Sequence, residues 1–150
     1  MDYIRKINTK IHGIEWETTT VPKNRRVFKI YGNISCGKFK FIDENVIGYI
    51  EIPKELIGKG DYFVLRTSGD SMIGCGINDG DLLIIQRQTY AEDGQIAAVM
   101  VDDQVTLKRF YRLAQERKYR LHPENPKYKD ILVDSCEILG VAVKIIKDLG

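Results

Sequence analysis

The chain is predicted to be mainly β with hairpins, on three observations. Short runs of apolar, β-branched and aromatic residues dominate from residue 47 onward. Turn chemistry separates them, as in Asn78-Asp79-Gly80-Asp81, Asp93-Gly94 and Asp102-Asp103. No 3.6-residue apolar pattern runs long enough to build two packed helices.

Taken in order, the first predicted strand is Tyr62 to Thr67, an aromatic and aliphatic run that follows Gly60-Asp61. Leu82 to Gln86 emerges from the Asn78–Asp81 turn. Gln95 to Val101 begins after Asp93-Gly94 and turns at Asp102-Asp103 into Val105 to Tyr111. Tyr119 to Leu121 and Ile131 to Val133 are shorter, and Ile138 to Ile146 is the most apolar run of all. Between the first two strands, Ser71 to Ile77 has some helical character but is broken by glycine, and Pro53 to Ile57 suits a single helical turn. Residues 1–46 differ: Thr18-Thr19-Thr20, Val21-Pro22 and Lys23-Asn24-Arg25-Arg26 lack sustained periodicity. They are expected to form an N-terminal arm and linker, only partly ordered, ahead of one domain over 47–150.

Bulk properties narrow the function. At 150 residues the chain is the size of a single domain. Lys and Arg number 23 against 21 Asp and Glu, a net charge of +2 that gives no reason to expect tight binding to a phosphate backbone. With no pair of helices for a helix-turn-helix unit, direct DNA binding by this chain is not expected. No apolar run approaches the roughly 18 residues that span a bilayer, and the N-terminus lacks a signal-peptide apolar segment, so a cytoplasmic protein is expected. The three cysteines, Cys36, Cys75 and Cys136, are far apart and form no C-x-x-C pair. Neither a disulfide framework nor a zinc site is indicated, and no metal or other cofactor is expected.

Two residues stand out chemically. Ser71 lies in Thr67-Ser68-Gly69-Asp70-Ser71-Met72, directly after an apolar strand and before a Gly-rich turn. A serine there can present its hydroxyl while neighbouring backbone N–H groups face an oxyanion, although serine also favours turns for purely structural reasons. The segment is not a G-x-S-x-G elbow, because Ile73 occupies the second glycine position. Lys108 lies in Val105-Thr106-Leu107-Lys108-Arg109-Phe110, where alternation places Thr106, Lys108 and Phe110 on one face. A lysine serves as a base only when desolvation lowers its pKa toward neutrality; otherwise it is an ordinary solvated strand lysine.

Several motifs in order carry a resemblance. Gly69-Asp70-Ser71-Met72, Gly76-Ile77-Asn78-Asp79-Gly80-Asp81, Gly94-Gln95-Ile96, Thr106-Leu107-Lys108-Arg109, Leu121-His122-Pro123-Glu124-Asn125-Pro126-Lys127-Tyr128 and Ile138-Leu139-Gly140-Val141 resemble the LexA and UmuD family of self-cleaving proteins of the SOS response. The separation of 37 residues between Ser71 and Lys108 fits as well. The resemblance covers about residues 30 to 147. It implies a LexA/signal-peptidase-like β-fold of twisted antiparallel sheets with a flexible N-terminal arm, with Ser71 as nucleophile and Lys108 as general base. Backbone N–H groups around Asp70 and Ser71 would hold the oxyanion. The family cuts itself between a small residue and glycine, and Ser35-Cys36-Gly37-Lys38 supplies such a bond at Cys36–Gly37.

The resemblance further implies a homodimer, a RecA filament on single-stranded DNA as co-protease and, on the UmuD side, an error-prone DNA polymerase as partner. Too few residues precede the resemblance for a repressor's DNA-binding domain, so both a UmuD-type protein and the catalytic piece of a repressor stay open. Rival readings are an inert, phage-repressor-like dimerisation module, a signal peptidase, and a triad of Ser71 with His122 and an acid such as Asp81. The last strand, Ile138 to Ile146, is expected to pair with its copy across the dimer, since so apolar a strand is a liability as an open edge.

Overall fold

A computed structural model describes residues 2–11, 14–20, 23–32 and 45–149. The expectation of a mainly β chain is met. Strands β1 (Asp2–Ile11) and β2 (Ile14–Thr20) pair antiparallel as a two-stranded sheet. The others are β3 (Arg25–Tyr31), β4 (Val46–Pro53), β5 (Tyr62–Arg66), β6 (Leu82–Arg87), β7 (Ile96–Val101), β8 (Gln104–Leu113), β9 (Lys118–His122), β10 (Ile131–Val133) and β11 (Glu137–Ile146). These form a nine-stranded sheet in the order β10-β9-β8-β7-β11-β6-β5-β3-β4. The sheet is mixed, because β3 and β5 run parallel. The helical turns expected near Pro53 and Ser71 are short 3₁₀ segments, Lys54–Leu56 and Ile73–Cys75.

Residues 25–31, expected to belong to an only partly ordered arm and linker, form a strand of the nine-stranded sheet. Strand β3 lies between β4 and β5, with Phe28 and Ile30 buried and Lys29 exposed between them. That alternation is the period of a half-buried strand, but the basic run Lys23-Asn24-Arg25-Arg26 in front of it reads as a linker. Its charges have uses: Arg25 pairs with Glu51 at 3.3 Å across to β4, and Arg26 donates to the carbonyls of Gly58 and Gly60 at 3.1 and 2.8 Å.

Both faces of the central strands are covered, which is why they are continuously apolar rather than alternating. Phe63 and Leu65 of β5, with Leu83 and Ile85 of β6, enter one cluster that also holds Met72, Ile77 and Ala98. Val64 and Ile84, on the same two strands, enter another with Phe28, Ile30 and Ile52. A third cluster under β7 to β9 contains Val99, Phe110 and Leu121. In a flat sheet β5 and β8, separated by β6, β11 and β7, would lie about 19 Å apart. Instead Leu65 and Ala98 share a cluster, and Val105 and Leu107 of β8 pack against it. The sheet therefore curls over, bringing the loop after β5 to the face of β8.

Strand β11 makes that curl possible. Register shifts between Ile138 and Gly140, and again between Ala142 and Lys144, let it pair with β7 over Glu137–Val141 and with β6 over Gly140–Ile146. Gly140 sits at the crossing, where an added Cβ would lie 2.3 Å from the Gln86 carbonyl oxygen and 2.7 Å from Ile85 Cγ2. Neither backbone can yield without opening the β6–β11 ladder. Gly140→Ala is expected to destabilise the fold by about 1–3 kcal/mol, read as a lowered urea midpoint with an unchanged slope.

Candidate active site

The loop that leaves β5 is pinned before it reaches Ser71. Thr67 accepts the Gly80 N–H on its carbonyl at 2.9 Å and donates its own N–H to Asp81 O at 2.8 Å. Its hydroxyl donates to the carbonyl of Asn78 at 2.7 Å. Gly69 N–H donates to Asp79 Oδ1 at 2.8 Å, from a backbone conformation (φ 82°) that favours glycine. The Asn78–Asp81 motif is thus a brace that holds Thr67 to Gly69 in place. Asp81 accepts the Asn78 N–H at 2.7 Å and is ion-paired with Lys147; the lysine first, then that N–H, hold its carboxyl below the usual range.

A second brace comes from the segment after β9. Glu124 is ion-paired with Arg109 of β8, and its carbonyl accepts the Gly74 N–H at 2.7 Å. Tyr128 donates its hydroxyl to Asp70 and Lys127 reaches the same carboxylate at 3.4 Å, so that the tyrosine's bond, ahead of the lysine's charge, lowers the Asp70 pKa. Asn125 donates to the Asp70 carbonyl at 2.8 Å.

Between these braces Ser71 meets Lys108. Lys108 Nζ lies 3.1 Å from Ser71 Oγ, 2.6 Å from Thr106 Oγ1 and 3.0 Å from the Leu107 carbonyl. Lys108 is only 7% exposed. Among the described residues no carboxylate pairs with it, and desolvation pulls its pKa below the ordinary lysine value. The three neighbours suit a neutral amine: two N–H bonds go to Thr106 Oγ1 and Leu107 O, leaving the lone pair to accept the Ser71 hydroxyl. A protonated amine is also satisfied, donating to all three. The site therefore accommodates the gain and loss of one proton without moving.

Ser71 lines a cleft of about 100 Å³ with Leu65, Met72, Ile77, Val105 and Leu107 along its apolar wall. Gly32 lines the same cleft, and its N–H donates at 3.0 Å to the carbonyl of Asn45, which follows the segment 33–44 in sequence. Cys36 and Gly37 fall in that segment, outside the described residues.

The alternative triad is not assembled. His122 bonds Asp130 through Nδ1 at 2.5 Å, and Asp81 is engaged by Lys147. Cys75, four residues after Ser71, donates its thiol to the Met72 carbonyl at 3.2 Å, and burial raises its pKa. The sequence singled out Ser71, Lys108 and Asp70, but not the bonds that Thr106 makes to Lys108, that Asn125 and Tyr128 make to Asp70, and that Lys147 makes to Asp81 of the first brace. Asn125 and Tyr128 stood inside a legible motif whose role had no local signature; Lys147 sits at the chain's end with no signal pointing to Asp81.

A mainly β scaffold that sets a serine hydroxyl against a desolvated amine at the wall of a cleft has the layout of a β-fold serine peptidase. The peptidase S24-like family model matches residues 29–143. The chain is similar to the LexA repressor of Caldicellulosiruptor saccharolyticus, 36% identical over 147 residues that cover 97% of this chain and 72% of that protein. It is likewise similar to the LexA repressors of Clostridium acetobutylicum (37% identical, 91% and 67% covered) and Oleidesulfovibrio alaskensis (38%, 94% and 70%). The chain belongs to the peptidase S24-like family, on its LexA-like side.

Proposed function

We propose that the chain is a self-cleaving serine peptidase, with Ser71 as nucleophile, Lys108 as general base and the Cys36–Gly37 bond as substrate. The observation that carries the reading is the buried Lys108 amine at 3.1 Å from Ser71 Oγ. In the first step the Ser71 oxygen bonds to the Cys36 carbonyl carbon while its proton passes to Lys108 Nζ. The resulting oxyanion faces the backbone N–H groups of Asp70 and Ser71. Collapse breaks the C–N bond to Gly37, whose amine takes the proton from Lys108. Water then attacks the Cys36 acyl ester, again giving a proton to Lys108, and the Ser71 hydroxyl is regenerated.

Cleavage within one chain is geometrically open. Gly32 lines the cleft, and the residues from there to Cys36 extend at most about 13 Å. A small Cys36 side chain and Gly37 suit a cleft of this size. A partner that favours the arrangement with the Cys36–Gly37 bond in the cleft accelerates the reaction. A RecA filament on single-stranded DNA is the partner proposed for this role. Incubating the purified chain at mildly alkaline pH and weighing the fragments tests the assignment: one new N-terminus at Gly37 is expected, and a stable chain or a different N-terminus overturns it.

A homodimer through β11 is part of the same reading, with a refinement. The strand is not an open edge along its whole length, because β7 covers it as far as Val141. Residues 142–146 pair with β6 alone, and Val143 and Ile145 there are 43% and 40% exposed. A second copy pairing along this half hides both by a two-fold operation. Val143 lies in the β11 bulge without a register partner on β6, so a proline there spares the ladder within the chain. Val143→Pro is expected to weaken the dimer at least about tenfold by light scattering, equivalent to about 1.4 kcal/mol. A 17.2 kDa monomer for the unmodified chain at micromolar concentration contradicts the dimer.

A further inference from the structure

We infer that Asn125 is a positioning residue that aims the Ser71 backbone N–H at the oxyanion, an inference that rests on the Ser71–Lys108 reading. Asn125 lies between Glu124 and Pro126, in the segment that follows β9. Both ends of its amide are engaged: Nδ2 donates to the Asp70 carbonyl at 2.8 Å, and Oδ1 accepts the Lys127 N–H at 3.0 Å. Exchanging the two ends would set carbonyl against carbonyl and N–H against NH₂, so the donor is fixed on Asp70.

The consequence follows from peptide geometry. The unit joining Asp70 to Ser71 is planar and trans, so its C=O and N–H point in opposite directions. There is no cis peptide bond among the described residues. Holding the Asp70 oxygen on Asn125 therefore turns the Ser71 N–H away from that segment. Among the described residues no acceptor takes this N–H. Ser71 lines the cleft, whereas Asn125 does not. Among the described residues, the one other hydrogen bond to the Asp70 oxygen, from Ile73 N–H, is long at 3.4 Å. Asn125 is thus the stronger of two restraints on the plane that carries the oxyanion donor.

The neighbours of Asn125 hold its segment independently. Glu124 keeps its ion pair with Arg109 and its bond from Gly74, and an added Cβ at Gly74 would lie 2.5 Å from the Glu124 oxygen, so the two backbones are in close contact. Removing the Asn125 amide leaves those contacts in place while freeing the peptide to rotate. Among the described residues no hydrogen bond joins Asn125 to Lys108, so the bonds of the base are left as they are.

The test measures self-cleavage of the full chain across a range of pH. Asn125→Ala is expected to lower the rate roughly 10–100-fold at every pH, somewhat less than deleting an oxyanion donor outright, with the pH midpoint unmoved because Lys108 sets it. Asn125→Asp keeps the acceptor for Lys127 but replaces the donor with a repelling oxygen, and should be at least as slow. It also decides the matter should the alanine variant fail to fold. Wild-type rates in Asn125→Asp, with Lys108→Ala inactive, would overturn the inference and leave the dyad standing. A shifted pH midpoint would make Asn125 a modifier of the base and overturn it too. Cleavage by Lys108→Ala would instead remove the reading on which it rests.

Discussion

Replacing Lys108 by alanine is expected to abolish cleavage at Cys36–Gly37, and replacing Ser71 by alanine to do the same, each by on the order of 10³-fold or more. The two losses should not add in the double variant, because nucleophile and base act in one proton transfer. His122→Ala should cleave at close to the parent rate, since His122 bonds Asp130 and, among the described residues, no hydrogen bond links it to Ser71. Lys108→Arg is the more searching change: a guanidinium keeps the charge but cannot give up its proton, so it should be as inactive as alanine. Fragment masses over time separate these outcomes. Cleavage by Lys108→Ala, with cleavage lost in His122→Ala, would transfer the chemistry to a histidine.

Lys108→Met is expected to be inactive and yet more stable than the parent. The buried amine carries a desolvation cost with no carboxylate among the described residues to offset it, whereas a methionine fills similar space without one. A rise of about 2–4 °C in melting midpoint corresponds to roughly 1 kcal/mol in a domain of this size. The pH dependence has a definite sign. The folded-state pKa of Lys108 lies below its unfolded value, so between those two values the unfolded chain binds more protons than the folded one. Within that window Lys108 makes stability increase with pH, and below it the folded state bears the full cost of confining the charge or neutralising it. Lys108→Met should remove this slope, most visibly in melting curves on the alkaline side of neutrality. An equal slope in both proteins would mean that the amine is better solvated than its 7% exposure implies.

The strands from β5 onward were legible because each is bounded by turn chemistry and is either apolar throughout or alternating. The positive φ angles of Asp102 and Asp103, at 51° and 63°, are those of the tight hairpin that the sequence there predicts. Strand β3 escaped notice because Arg25, Arg26 and Lys29 interrupt its apolar residues, and its partners β4 and β5 lie elsewhere in the sequence. The site divides the same way. Ser71 and Lys108 stood in recognisable motifs, but their approach depends on the curl of the sheet, to which the bulges in β11 contribute. No local pattern encodes that curl. Likewise the separation of 55 residues between Asp70 and Asn125 hides a hydrogen bond that only the folded chain brings together.

The central claim is that a neutral Lys108 takes the proton of Ser71. It is tested most directly by the rate of self-cleavage as a function of pH, followed by fragment mass, in the unmodified chain and in Lys108→Arg. The rate of the unmodified chain is expected to rise about tenfold per pH unit below the Lys108 pKa and then level off, with Gly37 as the new N-terminus throughout, while Lys108→Arg stays inactive across the range. A rate that is flat or falls as pH rises, or cleavage by Lys108→Arg at the parent rate, would contradict it.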